Sequence, residues 1–297
     1  MNSSSNTAVA VIGVGLLGAS LGMALRGKPF RRIGWARRES VRRWALDCDV
    51  FDECPSTAEE AFAAADLTVL ALPVPEIIRF LREYAPLWKP GSVVTDIGSV
   101  KSGVMAAAAE LAERGVFFVG GHPMAGTEKS GPESALPDLY SNADVFLTPS
   151  PGVPAEAVGR VAALWRAAGG RPAEIDAERH DDLVARTSHV LHLIASSLAI
   201  SILDAPDAAT RLERFRGCAT GFRDTSRIAS SSPVMWREII ESNAPAVLRA
   251  FRDFENCCGR MRDLIAAGDF DGFEREFAHG KRLRDSWLEY KKTGEYK

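Results

Sequence analysis

A glycine-spaced turn near the start of this chain limits what it can fold into more than any other feature. Gly13-Val14-Gly15-Leu16-Leu17-Gly18 follows directly on the apolar run Ala8 to Ile12 and opens a stretch of helical period, Leu16 to Leu25. Glycines at these spacings let a strand turn tightly into a helix and let a pyrophosphate approach the helix N-terminus, where free N–H groups favour an anion. The turn therefore reads as dinucleotide binding, with Gly13, Gly15, Leu16, Leu17 and Gly18 as the cradle. The plainer alternative is a glycine turn that only lets helix pack on strand.

From Ala8 onward, short β-branched runs alternate with longer segments of helical period. Ala8 to Ile12, Arg31 to Trp35, Leu67 to Leu72, Ser92 to Ile97, Val116 to Val119 and Val145 to Thr148 read as strands, with a last one at Pro172 to Ile175. Such alternation predicts βαβ units and a parallel sheet. Pro75-Glu76 marks one helix start, and Ser99 reads as the N-cap before the Ala-rich stretch Met105 to Ala112. After about Glu178 the strand signals stop, and a long helix from about Arg179 to Leu203 opens a part that is helical to its end near Tyr290. The predicted architecture is an α/β Rossmann-type dinucleotide-binding domain, residues 1–178, followed by an all-α C-terminal domain, residues 179–297. Apolar stripes such as Leu183, Leu191, Ile194 and Leu198, then Ile239, Val247, Leu248, Phe251 and Phe254, exceed what a small bundle needs for itself and predict a helical dimer interface.

The 297 residues fit about two domains. A composition of 46% hydrophobic and 25% charged residues excludes disordered, collagen-like and coiled-coil chains. A formal charge of -3 argues against a dedicated nucleic-acid binder, so any bound anion must be held locally. The 5 Cys include the adjacent Cys257 and Cys258 and form no C-x-x-C pair, so neither a disulfide framework nor a metal site is expected. The polar start and the absence of a long uninterrupted apolar stretch predict a cytoplasmic protein with no membrane span.

An NAD site of this type places an acid at the end of the second strand, about 20 residues on, to accept from the ribose 2′-hydroxyl. Here the stretch reads Trp35-Ala36-Arg37-Arg38-Glu39-Ser40. The acid is missing at Ala36, and Arg37, Arg38 and Ser40 stand where a 2′-phosphate would sit, so NADP is expected, with NAD as the second choice. Ser99, in Asp96-Ile97-Gly98-Ser99-Val100-Lys101, and His122, in Gly120-Gly121-His122-Pro123-Met124, both follow strands and belong at the ligand-binding edge of the sheet. His122 is a candidate base. Ser188-His189-Val190-Leu191-His192 sets two histidines on one face of the long helix, with no acid or Cys to complete a metal site. In Phe222-Arg223-Asp224-Thr225-Ser226-Arg227, Arg227 is either a salt-bridge partner of Asp224 or a binder of anions.

Taken in order and spacing, Gly13 to Gly18, Asp96 to Lys101, His122 to Gly131, Ser188 to His192 and Gly221 to Arg227 resemble the prephenate and arogenate (cyclohexadienyl) dehydrogenase family of tyrosine biosynthesis, from Val9 to about Trp287. The strings His122 to Glu128 and Phe222 to Arg227 carry the resemblance beyond generic Rossmann features. It implies an oxidative decarboxylation in which hydride leaves C4 of the ring for the nicotinamide and the C1 carboxylate leaves as carbon dioxide. It further implies His122 as acceptor of the C4 hydroxyl proton, Ser99 as its orienting partner and Arg227 on a substrate carboxylate. His192 and His189 would line the pocket, and Glu128 would control access or local charge. Family members are homodimers, and tyrosine as feedback inhibitor competes for the same pocket in many of them. Prephenate and arogenate both remain open as substrates. A 3-hydroxyacid dehydrogenase, which generally relies on a lysine in its helical domain, is the rival enzyme class. A non-catalytic NADP-binding sensor is the rival outside catalysis.

Overall fold

A computed structural model describes residues 7–126 and 129–294. In chain order it holds β1 (Thr7–Ile12), α1 (Leu16–Ala24), β2 (Phe30–Trp35), α2 (Glu39–Asp47), α3 (Ala58–Ala63), β3 (Leu67–Leu70), α4 (Val74–Tyr84), β4 (Val93–Asp96), α5 (Ser102–Ala112), β5 (Phe117–Pro123), β6 (Asp144–Pro149), α6 (Ala155–Ala167) and β7 (Arg171–Glu174). The strands form one seven-stranded sheet of order β2-β1-β3-β4-β5-β6-β7. Alternate residues of β1 feed the two faces: Val9 and Val11 pack with Leu21, Phe51 and Trp165, while Ala10 and Ile12 pack with Ile77, Phe80 and Phe118. Helices cover both faces, so β1 has to be apolar on both sides.

Two local expectations need correction. Strands β2 to β5 are parallel, as the alternation predicts, but β6 pairs antiparallel to β5, with His122 opposite Phe146, and β7 then runs parallel to β6. The described part of the connection from β5 to β6 holds only a short turn at Pro132–Ser134 and no crossover helix, and without one the chain returns in the opposite direction. Ser99 also does not cap α5. The helix starts at Ser102, and its first N–H groups, Lys101 and Ser102, donate to the carboxylate of Asp181 at 2.7 and 2.8 Å. A distant side chain does the work expected of a local one.

The long helix is continuous in direction but not in hydrogen bonding. Asp176 caps α7 (Ala177–Val184), a π-helical turn follows at Ala185–His189, and α8 (Val190–Leu203) completes it. Among the described residues it is the one helix long and apolar enough to cross a membrane by length and composition. Its first half carries buried His180, Asp181 and His189, which belong to a protein interior and not to lipid. Then come α9 (Ala208–Gly217), α10 (Thr220–Ser226), α11 (Pro233–Ser242), α12 (Ala244–Ala267) and α13 (Phe270–Thr293). By compactness the chain divides between Ala246 and Val247, so α7 to α11 belong with the sheet.

Candidate active site

The turn after β1 has three glycines with different reasons to be there. Gly13 has φ +109°, and a Cβ on it would lie 2.2 Å from the Ala71 carbonyl oxygen, at the end of β3. A Cβ on Gly18 would lie 1.9 Å from the Gly13 carbonyl oxygen. Backbone packing alone demands both. Gly15 has nothing within 4 Å of its Cβ position, and it precedes α1 with neither a side-chain cap nor an acid in the first turn. The bare N–H groups of α1 thus open onto uncrowded space at the point where strand order reverses, which fits a pyrophosphate. The Gly13 N–H donates to the Trp35 carbonyl at 2.8 Å, so the end of β2 borders the same turn. Beyond it Ala36 is half-buried and Arg37, Arg38 and Ser40 are exposed, while Arg42 donates to the carbonyls of Ala36 and Arg37 at 2.6 and 3.1 Å and holds the loop in place.

On the other side of the switch point, β5 carries His122 past its pairing with β4. Gly120 and Gly121 precede it because a Cβ at these positions would lie 2.9 Å from Met105 Sδ and 2.5 Å from the Asp96 carbonyl oxygen. The buried carboxylate of Asp96 accepts the N–H groups of Gly98 at 2.8 Å and Gly121 at 3.0 Å and pairs with the buried ammonium of Lys101. It thereby ties the loop carrying Ser99 to the strand carrying His122. His122 Nδ1 lies 2.8 Å from His180 Nε2, and His180 Nδ1 lies 2.8 Å from Asp181 Oδ1. The Asn243 amide donates to the Asp181 carbonyl at 2.8 Å and reaches His189 Nδ1 at 3.3 Å.

Burial, then the nearby His180, Lys101 and His189, push His122 well below the ordinary histidine value, so its imidazole is neutral near pH 7. Burial likewise lowers His189 to about 4, although Asp181 opposes the shift. Burial lowers His192, with the Arg227 guanidinium adding to the effect. Burial would raise Asp181, but hydrogen bonds from His180, Ser102 and Lys101 hold it below the usual carboxylate range. His192 stacks on Trp236 with ring centroids 3.7 Å apart, and His189 meets the same indole edge-on at 5.9 Å. Arg227 begins the short turn Arg227–Ser230 that packs against α8, while Asp224 pairs with Arg223 at 3.0 Å.

The fold therefore joins Gly13 to the end of β2 at Trp35, and brings His189 within electrostatic reach of His122 and Arg227 within electrostatic reach of His192. Glu128 lies outside the described residues. Four contributors escaped the sequence reading: His180, Asp181, Trp236 and Asn243. A signal for the first two was present, since His and Asp interrupt the buried stripe of a helix that continues with Val184, and buried polar side chains need partners. Among the described residues no group of three or more His, Cys, Asp and Glu is arranged to hold a metal ion.

A doubly covered, mostly parallel sheet with a glycine cradle at its switch point and a neutral, networked histidine at the same edge defines a Rossmann-type NAD(P)-dependent dehydrogenase. Family models agree: that for the prephenate dehydrogenase nucleotide-binding domain matches residues 21–174, and that for the prephenate dehydrogenase dimerization domain matches residues 176–279. The chain belongs to the prephenate dehydrogenase family. It is 32% identical to the cyclohexadienyl dehydrogenase of Zymomonas mobilis over 93% of this chain and 94% of that one. Its fold is similar to that of prephenate dehydrogenase from Aquifex aeolicus, solved with hydroxyphenyl propionate and NAD+, with a TM-score of 0.86 at 30% identity, over 95% of this chain and 99% of that one. It is also similar to Synechocystis arogenate dehydrogenase, with a TM-score of 0.84 at 27% identity, over 95% and 100%.

Proposed function

We propose that this dehydrogenase carries out oxidative decarboxylation of prephenate or arogenate with His122 as the base, and that it prefers NADP. The observation that carries the reading is the His122 imidazole at the end of β5, held at 2.8 Å by His180, where burial favours its neutral form. When bound, the nicotinamide supplies the hydride acceptor. Gly13, Gly15, Leu16, Leu17 and Gly18 would hold the pyrophosphate, with Arg37, Arg38 and Ser40 beside the 2′-phosphate. His122 takes the C4 hydroxyl proton as hydride leaves C4. It returns the proton to the same oxygen when loss of the C1 carboxylate makes the ring aromatic, and Ser99 orients that hydroxyl. Arg227 offers a planar fork to a substrate carboxylate, next to a pocket wall of His192 and His189, and Glu128 is assigned to access. Residues 1–178 bind the nucleotide and residues 179–297 supply substrate and dimer contacts in a cytoplasmic homodimer, with tyrosine as a competitor for the substrate pocket.

Steady-state kinetics with prephenate and arogenate, each with NADP and NAD, tests the reading on the wild type and on His122→Asn. The variant should fold and bind NADP but lose about 10² to 10⁴ in kcat, the usual contribution of a positioned base. Near wild-type turnover would remove His122 from the mechanism.

A further inference from the structure

We infer that His180 and Asp181 act on the reaction through His122, fixing its hydrogen on Nδ1 so that Nε2 faces the substrate as the bare acceptor. The inference rests on His122 being the base, and the experiment below separates the two claims.

The assignment follows from counting donors. Asp181 receives the Lys101 N–H and His180 Nδ1 at Oδ1 and the Ser102 N–H at Oδ2, at 2.7 to 2.8 Å. Each is a contact that a carboxylate satisfies only as an acceptor, so His180 Nδ1 carries hydrogen. A neutral imidazole has one N–H. With His180 taken, like His122, to carry a single ring hydrogen, its Nε2 is a lone pair, and the atom facing it at 2.8 Å, His122 Nδ1, is the donor. His122 Nε2 is left unprotonated. The order runs from an anchored carboxylate through one ring to the next, and each link sets the hydrogen of the following one.

The chemistry gives this arrangement a second task. Hydride goes to the nicotinamide and the electron pair of the breaking carboxylate bond goes into the ring. The C4 hydroxyl proton is therefore only lent, because the product phenol needs it back. While His122 holds it, a positive charge sits close to the ammonium of Lys101 and the rings of His180 and His189. Lys101 is neutralised by Asp96, and among the described residues Asp181, reached through His180, is a second balancing charge. A chain of hydrogen bonds ending on an anchored carboxylate stabilises the transient imidazolium without removing the proton from reach.

The test uses the full chain with His180→Phe, His180→Gln and His122→Asn, reading kcat, KM for prephenate, NADP affinity and histidine ring-nitrogen NMR. Wild type should show His122 as the Nδ1–H tautomer. His180→Phe should move it to the commoner Nε2–H form and lower kcat about 10²-fold, with KM and NADP affinity within about threefold. In His180→Gln the side-chain carbonyl can accept from Nδ1, so the tautomer and about tenfold of the lost kcat should return. Wild-type kcat in His180→Phe overturns the inference, as does a loss of kcat with the His122 tautomer unchanged. If His180→Phe does not fold, the wild-type spectrum decides, since an Nε2–H tautomer at His122 contradicts the assignment. Unimpaired turnover in His122→Asn overturns the base itself, and with it the inference.

Discussion

Gly15 and Gly18 look interchangeable in the sequence, yet a Cβ meets the protein's own backbone at one and open space at the other. Gly18→Ala should cost about 1–3 kcal/mol of stability, as overpacking does. Gly15→Ala should leave thermal unfolding unchanged and weaken NADP binding at least about tenfold, because the new methyl meets only the nucleotide. Calorimetry and fluorescence titration of both variants check this, and equal effects on stability would mean that the turn serves packing alone. The cofactor choice is likewise a residue-scale question. Ala36 lacks the acceptor that an NAD ribose uses, and Arg37 and Arg38 are exposed to meet a phosphate. One charge-assisted hydrogen bond of about 1.5–3 kcal/mol corresponds to roughly 10- to 100-fold in affinity. We expect at least tenfold preference for NADP in kcat/KM and its reversal in Ala36→Asp. Arg42 grips the loop through backbone carbonyls, so the substitution should not disturb its path. Equal or better use of NAD by the wild type would contradict the reading of this loop.

Helix α7, the π turn and α8 hold the site's pH response at the scale of elements. His189 is lowered to about 4 in the folded chain, first by burial, and rises to about 6.5 when unfolded. The unfolded chain therefore binds the proton first as pH falls, and stability is complete above the unfolded value and lost on going down toward the folded one. The loss reaches about 3 kcal/mol by pH 4, and Asp181, depressed by its hydrogen bonds, acts in the same direction lower still. Urea titrations between pH 7 and 4 should show it and His189→Asn should reduce it, with the remainder supplied by His122 and His192, which burial also lowers; a pH-independent midpoint would refute it. Most elements were legible in the sequence because β1, β3 and β4 are apolar runs between glycine and helix-start signals, and the glycine turn carries its own register. The antiparallel β6 was not, since its local pattern equals that of a parallel strand and only the missing crossover helix sets direction. The Asp181 cap on α5 was hidden for a related reason: its partners lie 79 and 80 residues away in sequence. Ser99, His122 and Arg227 could be picked out from local strings, whereas His180 gains its place only from a tertiary contact.

At the scale of the whole molecule, large apolar side chains remain exposed on α8, with Ile200 at 61% and Leu191 at 46%, and on α12, with Leu248 at 64%. Apolar area left open in this way suits a second copy of the chain. Sedimentation should report a dimer, and Ile200→Glu with Leu248→Glu should shift it toward monomer; a wild-type monomer at micromolar concentration would contradict the homodimer. The proposed reaction rests on one coupling, hydride transfer tied to loss of the C1 carboxylate, with His122 proposed as the base. Its most direct test is simultaneous measurement of carbon dioxide release and reduced nicotinamide formation, with prephenate and arogenate each supplied to the wild-type enzyme. Equal amounts of the two products are expected with at least one substrate, at every time point. Reduced cofactor without carbon dioxide, or no turnover of either substrate, would contradict it.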